Sequence, residues 1–498
     1  MKEFGLWIDG RSVPARAGRT APTLDPATEE PWATVAVAGP DDVDAAVAAA
    51  RRAHASGVWR KKSREERGAI LMAIATALFE RQDEIALAEV HDGGGTIRKA
   101  NMADVPAAAQ GFLYYGQFVA GTADEEEHEE SIPVTSRNLV RKEPIGVVAG
   151  ITPWNFPLMT AAWKIAPAIA AGNTIVLKPA SNTPVTALML AEICSACGVP
   201  DGVVNVVSGP GASIGEHLAS HPDVGKISLT GSTEVGRRML ELAARDIKKV
   251  TLELGGKSAN IILEDADLDC AVRGALFGTF LHQGQACESG TRVLVPRTIY
   301  DDFVARMVEA ARELTVGDTL DPSTCIGALV SEKQRATVER YVAIGREEGA
   351  VVAIGGKRPA HLPRGYFYEP TILAKVDNTW KVAQEEIFGP VVVVIPFEDD
   401  ADAVRIANQS CYGLAGAVWS RDTERALAIA REMETGTVWI NDYHLTNVRF
   451  PFGGYKLSGI GRELGPMGLD IYQETKHIHV GEPTDAATKF YFGMLFNS

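Results

Sequence analysis

The sequence predicts an α/β fold of two parallel-sheet domains carrying a small β extension. Three observations point there. Helical patterns alternate with short β-branched runs, the mark of a parallel sheet covered on both faces. Several of those runs end on glycine or proline. The 498 residues also exceed what one ordinary core organises, so two or more domains are expected.

The elements justify this in order. "DDVDAAVAAARRAHA" (41–55) opens on acidic residues and continues rich in alanine, a helix. "SREERGAILMAIATALFERQDEIALAEV" (63–90) repeats its apolar residues at helical spacing. "GVVAGITPWNFP" (146–157) reads as a buried strand entering a proline-rich loop. "NTIVLKPAS" (173–181) and "GVVNVVSGPG" (202–211) repeat that design. "VGKISLTGSTEVGRRMLELAARD" (224–246) is strand, glycine turn and helix, and "KKVTLELGGKSANIIL" (248–263) supplies two more strands. A second alternating series runs from Ala271 to about Gly436, with a clear strand at "GPVVVVIPF" (389–397). The acidic run "DEEEHEE" is expected as a solvated loop. Alternation after it, and in "DIYQETKHIHV" (470–480), suggests strands that leave the main body.

Composition narrows the function classes. Apolar content of 46% with 23% charged residues is that of an ordinary globular protein. A net charge of −15 argues against a nucleic-acid partner, because phosphate binding needs clustered Lys and Arg. No stretch is long and apolar enough for a bilayer, and "MKEFGLWIDG" lacks a secretory core. Six sparse cysteines suit a reducing cytoplasm. Cys194 and Cys197 form a C-x-x-C, read as helical thiols before a Gly198 stop rather than a redox or metal pair. No metal is expected.

The usual dinucleotide fingerprint is absent. "SGPGASIG" carries Gly209, Gly211 and Gly215 one residue too long, and "TGSTEVG" carries Gly231 and Gly236 without a middle glycine. Each alone is as readily a structural turn. Both nonetheless follow an expected strand and open a helix, where backbone N–H groups favour phosphate. Lys178 stands at a third strand end. Ligands of open parallel sheets gather at those carboxyl ends.

Read together, "TPWNFPL" (152–158), "VLKPAS" (176–181), "LTGSTEVG" (229–236), "TLELGGKSANII" (251–262), "GQACESGTR" (284–292), "EEIFGPV" (385–391) and "PFGGYKLSGIGRELG" (451–465) resemble the NAD(P)-dependent aldehyde dehydrogenase superfamily in order and spacing. The match covers nearly the whole chain and falls in the hydrolytic, non-CoA-acylating branch. It implies a Rossmann-like dinucleotide-binding domain from 1–121 and 145–254, a catalytic domain from 255–469, and oligomerisation segments at 122–144 and 470–498. It also implies a homodimer or homotetramer.

The resemblance assigns roles residue by residue. Cys287 matches the nucleophile, Glu253 the general base and Asn155 the oxyanion-binding amide; Glu463 matches a glutamate proposed to relay protons. Lys178 and Ser181 match the adenosine-ribose site. Gly211, Gly215, Gly231, Ser232 and Val235 match the pyrophosphate and adenine region, and Ala180 and Thr230 are also expected to bind the cofactor. Ile151, Thr152, Pro153 and Trp154, with Leu254 and Gly255, are placed along the cofactor, and Glu386 and Phe388 at the nicotinamide ribose and ring. The substrate tunnel should involve Phe156, Thr160, Trp163, Glu288, Tyr443, His444, Thr446 and Phe452. Trp163, Tyr443 and Phe452 suit an apolar or aromatic aldehyde, whereas Glu288 and Tyr443 suit a cation.

The implied chemistry is oxidation of an aldehyde to its acid. A thiolate adds to the carbonyl, hydride passes to NAD or NADP, and water cleaves the thioester. Cys287 beside Glu288 looks awkward, because a nearby carboxylate holds a thiol's proton on. Neighbouring side chains generally diverge, so Glu288 is not expected to approach the sulfur. The expected activators are the nicotinamide cation, backbone N–H groups and Glu253. Cys270, Cys325 and Cys411 are expected to be packing residues. Ser181 stands where many NAD-preferring relatives carry glutamate, so NADP is not repelled there. A CoA-acylating semialdehyde dehydrogenase and a catalytically silent binding member are the alternatives; Glu253 speaks against the first, the intact trio against the second.

Overall fold

A computed structural model describes residues 2–132, 135–481 and 485–496. The first sheet holds five parallel strands, β1 (Val147–Ile151), β2 (Thr174–Lys178), β3 (Val204–Val206), β4 (Val224–Thr230) and β5 (Lys249–Glu253). Their order is 3-2-1-4-5, with Leu6–Ile8 and Arg11–Val13 added beyond β3. Gly459–Ile460 joins antiparallel beyond β5 and sets Gly459 opposite Glu253. All residues of β1, β2 and β3 are buried, which explains why they read as unbroken apolar runs.

The helices that frame the site are locally encoded. Helix α1 (Pro157–Ala170) starts with proline at its first turn, where the missing N–H costs nothing, and is buried along nearly its whole length. Helix α2 (Thr233–Ala244) is capped by Ser232. Its amphipathic pattern lays Gly236, Met239 and Ala243 against the sheet.

The second sheet has seven strands. Six are parallel: β6 (Ala259–Ile262), β7 (Arg292–Pro296), β8 (Thr371–Ala374), β9 (Val391–Phe397), β10 (Ala415–Trp419) and β11 (Thr437–Ile440). They run in the order 8-9-7-6-10-11, and Val351–Ile354 pairs antiparallel with β8. The two strands read from residues 248–263 therefore lie in different sheets. The "LGG" just after Glu253 carries the chain across from the first sheet to the second. Helix α3 (Leu268–Phe280), capped by Asp267, covers one face.

Two sequence expectations change, the acidic loop and the packing of Cys270 and Cys411, and two others gain detail. The acidic run is a strand, Glu125–Glu130, not a loop. It pairs with Ser136–Pro144, which pairs with Gln473–Gly481, so these segments find partners in each other. Basic side chains explain this, with Arg141 3.4 Å from Glu125 and Arg137 3.6 Å from Glu127. The 63–90 stretch is two helices, Arg64–Glu80 and Gln82–Gly93, meeting at Arg81. Cys270 and Cys411 are exposed and pack no core. Cys270 sits in the first turn of α3, its N–H bonded to Asp267, and Cys411 leads into a surface strand pair. Part of the 122–144 segment (133–134) and of the 470–498 segment (482–484 and 497–498) lies outside the described residues. Among the described residues no helix is long and apolar enough to cross a membrane.

Candidate active site

In the first sheet the winding reverses between β1 and β4, which leaves a crevice outside the carboxyl ends of the strands. The expected cofactor residues converge there. Ile151 ends β1, and the Thr152 N–H donates to the Lys178 carbonyl at 3.1 Å, joining two strand ends. Lys178 is buried, and burial alone lowers its pKa to about 8. A Cβ on Gly211 would lie 3.8 Å from its Nζ, and one on Gly215 3.6 Å from its Cδ. These glycines bound a π-helical turn that roofs the lysine. Ala180 is half-buried and Ser181 exposed; the Ser181 hydroxyl donates to the Gly209 carbonyl at 2.9 Å.

Thr230 ends β4, Gly231 turns the chain, and Ser232 accepts from the Val235 N–H at 3.3 Å. Val235 is an exposed apolar residue on the first turn of α2. On the opposite bank the Glu386 carboxylate accepts from the Gly256 N–H at 3.0 Å. A side chain on Gly255 would strike it, since a Cβ would lie 2.5 Å from Oε2. Burial raises the Glu386 pKa to about 7, opposed by that N–H and by Lys257. The Trp154 ring meets Phe388 edge-on at 5.1 Å, beside half-buried Pro153, and Leu254 is buried behind. A dinucleotide fits these residues. The buried Lys178 ammonium under its glycine roof, with no salt-bridge partner among the described residues, and the hydroxyl of Thr152, unpartnered among them, suit a phosphate-bearing ligand.

A cavity of about 750 Å³ opens beside this crevice. Asn155, Glu253, Cys287 and Glu463 all face it, brought together from the loop after β1, the end of β5, the 281–291 segment and "GRELG" (461–465). The Asn155 amide donates one N–H to the Gln285 carbonyl at 2.8 Å, which orients the other. Gln285 in turn accepts from the Val330 N–H at 3.0 Å, so the loop carrying Cys287 is braced on two sides.

Two carboxylates bracket the sulfur differently. Glu253 is buried with neither oxygen hydrogen-bonded among the described residues. Burial first, then the charge of Glu463, raises its pKa well above the ordinary range, against Lys164 and Arg462. A Cβ on Gly453 would lie 2.6 Å from Glu253 Oε1, so only glycine leaves that carboxylate room. Glu463 Oε1 accepts from Lys164 Nζ at 2.6 Å, and Lys164 also donates to Thr230 at 2.8 Å. Oε2 of Glu463 is unpartnered among the described residues.

Glu288 corrects the expectation of divergence. Its Oε2 accepts from Cys287 Sγ at 3.2 Å. His444 explains this, because Nδ1 holds Glu288 Oε1 at 2.9 Å and fixes the carboxylate over the thiol. Burial raises the Cys287 thiol well above its ordinary pKa, and the Glu288 charge and hydrogen bond add to that. Burial also pushes Glu288 up, but the His444 hydrogen bond and charge outweigh it, and the net shift is down.

The expected tunnel residues Phe156, Thr160, Trp163, Glu288, His444, Thr446 and Phe452 line the cavity. Trp163 and Phe452 meet edge to face at 5.5 Å. Tyr443 does not reach it. Gly278 and Gly290 leave a slot for its ring, where a Cβ on either would come within 2.8 Å. There its hydroxyl donates to the Glu288 carbonyl at 2.8 Å, so it supports the wall from behind. Sequence reasoning missed Gln110, Leu113, Tyr114 and Gln117, which line the cavity from the Val105–Ala120 helix. Their spacing was a usable signal, since 110, 113, 114 and 117 share one helical face while Phe112, Tyr115 and Val119 pack the core on another. Met159 was missed with them.

Residues 13–478 match the aldehyde dehydrogenase family. The chain belongs to that family. It is 45% identical over 479 residues to the betaine aldehyde dehydrogenase of Bacillus subtilis (strain 168), covering 95% of this chain and 96% of that one. It is 46% identical over 480 residues to an aldehyde dehydrogenase of Aspergillus niger, covering 96% and 95%. Among solved structures, the NAD+ complex of the Staphylococcus aureus betaine aldehyde dehydrogenase superposes with a TM-score of 0.94 at 38% identity, over 99% of this chain and 96% of that one. The NAD+ complex of the Bacillus cereus aldehyde dehydrogenase gives 0.94 at 42% identity, over 97% of each. The family member described here is thus an oxidoreductase that oxidises an aldehyde with NAD(P) through a catalytic cysteine. Nothing in these comparisons favours acyl transfer to CoA or a silent role.

Proposed function

We propose that Cys287 is that cysteine and that its neighbours divide the reaction into two halves. In the first, sulfur adds to the aldehyde carbon, and the free Asn155 N–H with the Cys287 backbone N–H holds the oxyanion. One such donor is typically worth about 100- to 1,000-fold in rate. Bound nicotinamide supplies the hydride acceptor. In the second half, Glu253 takes a proton from the water that cleaves the Cys287 thioester. Its unpartnered oxygens, with Gly453 making room, support this role. The Lys164–Glu463 pair offers the next carriers for that proton. Lys178 and Ser181 hold the adenosine ribose, Gly231 and Ser232 the pyrophosphate, and Glu386 and Phe388 the nicotinamide end. The domain boundaries given above stand as part of this reading.

The carrying observation is the cavity that unites Asn155, Glu253 and Cys287 from three elements. Its Tyr114, Phe156, Trp163 and Phe452 walls suit an apolar or aromatic aldehyde. A quaternary ammonium aldehyde is the second reading, favoured by the same ring faces and by the names of two relatives. Aliphatic, aromatic and trimethylammonium aldehydes, each offered with NAD+ and NADP+, separate these by kcat/KM. No cofactor reduction with any of them would remove the reading. Exposed Ser181 leaves both cofactors admissible. Six free thiols suit a reducing cytoplasm.

Assembly belongs to the same proposal. The three-stranded sheet ends in the edge strand Gln473–Gly481 and in an exposed edge of glutamates, and pairing them across subunits removes a liability. A homodimer or homotetramer is expected by light scattering. A fully active monomer after deletion of residues 470–498 would contradict it.

A further inference from the structure

Glu288 is more than a neighbour that happens to touch the nucleophile. Three features set it apart. Its Oε2 lies 3.2 Å from Cys287 Sγ, within reach of the thiol proton. Its Oε1 lies 2.9 Å from His444 Nδ1, and His444 Nε2 lies 3.1 Å from the Gly278 carbonyl. Both ring nitrogens therefore face oxygen atoms, which fixes the plane of the imidazole and the direction of the Glu288 carboxylate. The side chains of His444 and Glu288 are only 3% and 12% exposed, so the pair is screened from solvent. His444 itself sits in the left-handed region at φ 62°, a conformation that costs a non-glycine residue energy. The Tyr443 hydroxyl pins the Glu288 backbone at 2.8 Å, and the Phe277 ring meets the imidazole edge-on at 5.5 Å. A strained, doubly anchored histidine that aims one carboxylate at one sulfur is a built arrangement.

We propose that Glu288 is the general base for Cys287, and that His444 is the positioning residue that keeps it ionised and aimed. The proposal rests on the assignment of Cys287 as nucleophile. As the S–C bond forms, the C=O π bond becomes the oxyanion and the thiol proton moves from Sγ to Oε2 of Glu288. When water later releases the acid, the leaving thiolate takes that proton back. Glu253 is thereby left to the water alone. The thiol rests protonated and comparatively inert to oxidants, because burial and this carboxylate both oppose its ionisation. The other titratable groups facing the sulfur are Glu253 and Glu386; those facing Glu288 are His444 and Tyr443.

The test is the first burst of reduced cofactor after mixing NAD+-loaded enzyme with propanal, a neutral aldehyde, at saturation. In the unaltered enzyme the burst rate should hold steady from about pH 6 to 9, since a carboxylate of lowered pKa is always ready. A wild-type burst that instead climbs about tenfold per pH unit with thiolate formation overturns the proposal. In Glu288→Gln the burst at pH 7 should fall by about 100-fold or more and acquire that climb. Deuterated propanal should then cease to slow it, because addition rather than hydride loss limits. Formate should restore the burst in Glu288→Ala. His444→Phe should introduce an acid limb at higher pH, which a merely structural role would not move. An unchanged burst in Glu288→Gln, with only a raised KM for a trimethylammonium aldehyde, would make Glu288 a recognition group and refute its role as base. A burst that survives in Cys287→Ser would instead remove the nucleophile assignment, a separate failure.

Discussion

Glu288 and Glu253 are the same side chain facing the same sulfur, and their surroundings give them opposite characters. Glu288 is clamped between His444 and the thiol and has its pKa lowered. Glu253 has no hydrogen-bond partner among the described residues, faces Glu463 at its back and has its pKa raised. Environment, not residue type, decides which carboxyl starts a reaction ionised and which must be brought to that state. The arrangement separates the tasks: a fixed, always-charged acceptor suits a thiol that never moves far. A loosely held carboxyl with space above it suits a water that arrives only after hydride has left.

The largest effect should come from removing what both carboxyls serve. Cys287→Ser should abolish aldehyde oxidation while cofactor binding, read by fluorescence titration, stays near normal. Near-normal turnover would dissolve the comparison, since there would be no shared sulfur chemistry to divide.

Glu253→Gln comes next. The burst should survive, because addition and hydride loss do not need this carboxyl, while steady turnover should drop by roughly 100- to 1,000-fold. In the unaltered enzyme steady turnover should rise with pH, as the raised Glu253 loses its proton and becomes a base. A lost burst with normal thioester hydrolysis would exchange the two roles.

How much of this contrast was readable beforehand differs along the chain. The parallel sheets were legible because their strands are buried on both faces and so appear as runs such as "VVAGI" and "TIVLK". Lys178, Gly211 and Gly231 stood out only by position, each at or just after an expected strand end; taken alone, each glycine read as readily as a structural turn. The seven motifs gave Cys287, Glu253 and Asn155 through resemblance. Glu288 against Cys287 was not legible. Its orientation depends on His444, which lies 156 residues away in sequence, and no local pattern reports such a pairing. Tyr443 failed for a related reason, since the slot that buries it is made by Gly278 and Gly290. The acidic strand was misread because the arginines of its neighbouring strand, not its own composition, make it a strand.

A carboxylate placed by design in open solvent extends the comparison. Ser181 is exposed in the loop after β2, where its hydroxyl donates to the Gly209 carbonyl. Ser181→Glu should raise KM for NADP+ by roughly five- to tenfold and leave NAD+ nearly unchanged, because two unit charges 4 Å apart repel by about 1 kcal/mol in water. The effect should shrink with added salt. Equal changes for both cofactors would move Ser181 away from the 2′ position.

The smallest and most discriminating effect concerns stability. A carboxyl whose folded pKa is raised leaves the protein less stable above its unfolded pKa, because the unfolded chain ionises while the folded one resists. Glu253 is such a group. Glu253→Gln should therefore stabilise the fold near pH 7 to 8, with little gain near pH 4, where the unfolded carboxyl is also protonated. Glu288 has the opposite sign, since its lowered folded pKa contributes stability above the unfolded value that fades as pH falls through the folded one. Glu288→Gln should destabilise at pH 7, because the His444 Nδ1 loses its carboxylate partner. Relieving or creating one buried unpaired group is worth roughly 1–3 kcal/mol, about 1–3 °C in the melting temperature of a chain this long. Melting curves of both variants at pH 4.5 and 7.5 measure this. Shifts of the same sign at pH 7.5 would mean that the two carboxyls share one environment, and the division of labour between them would fall.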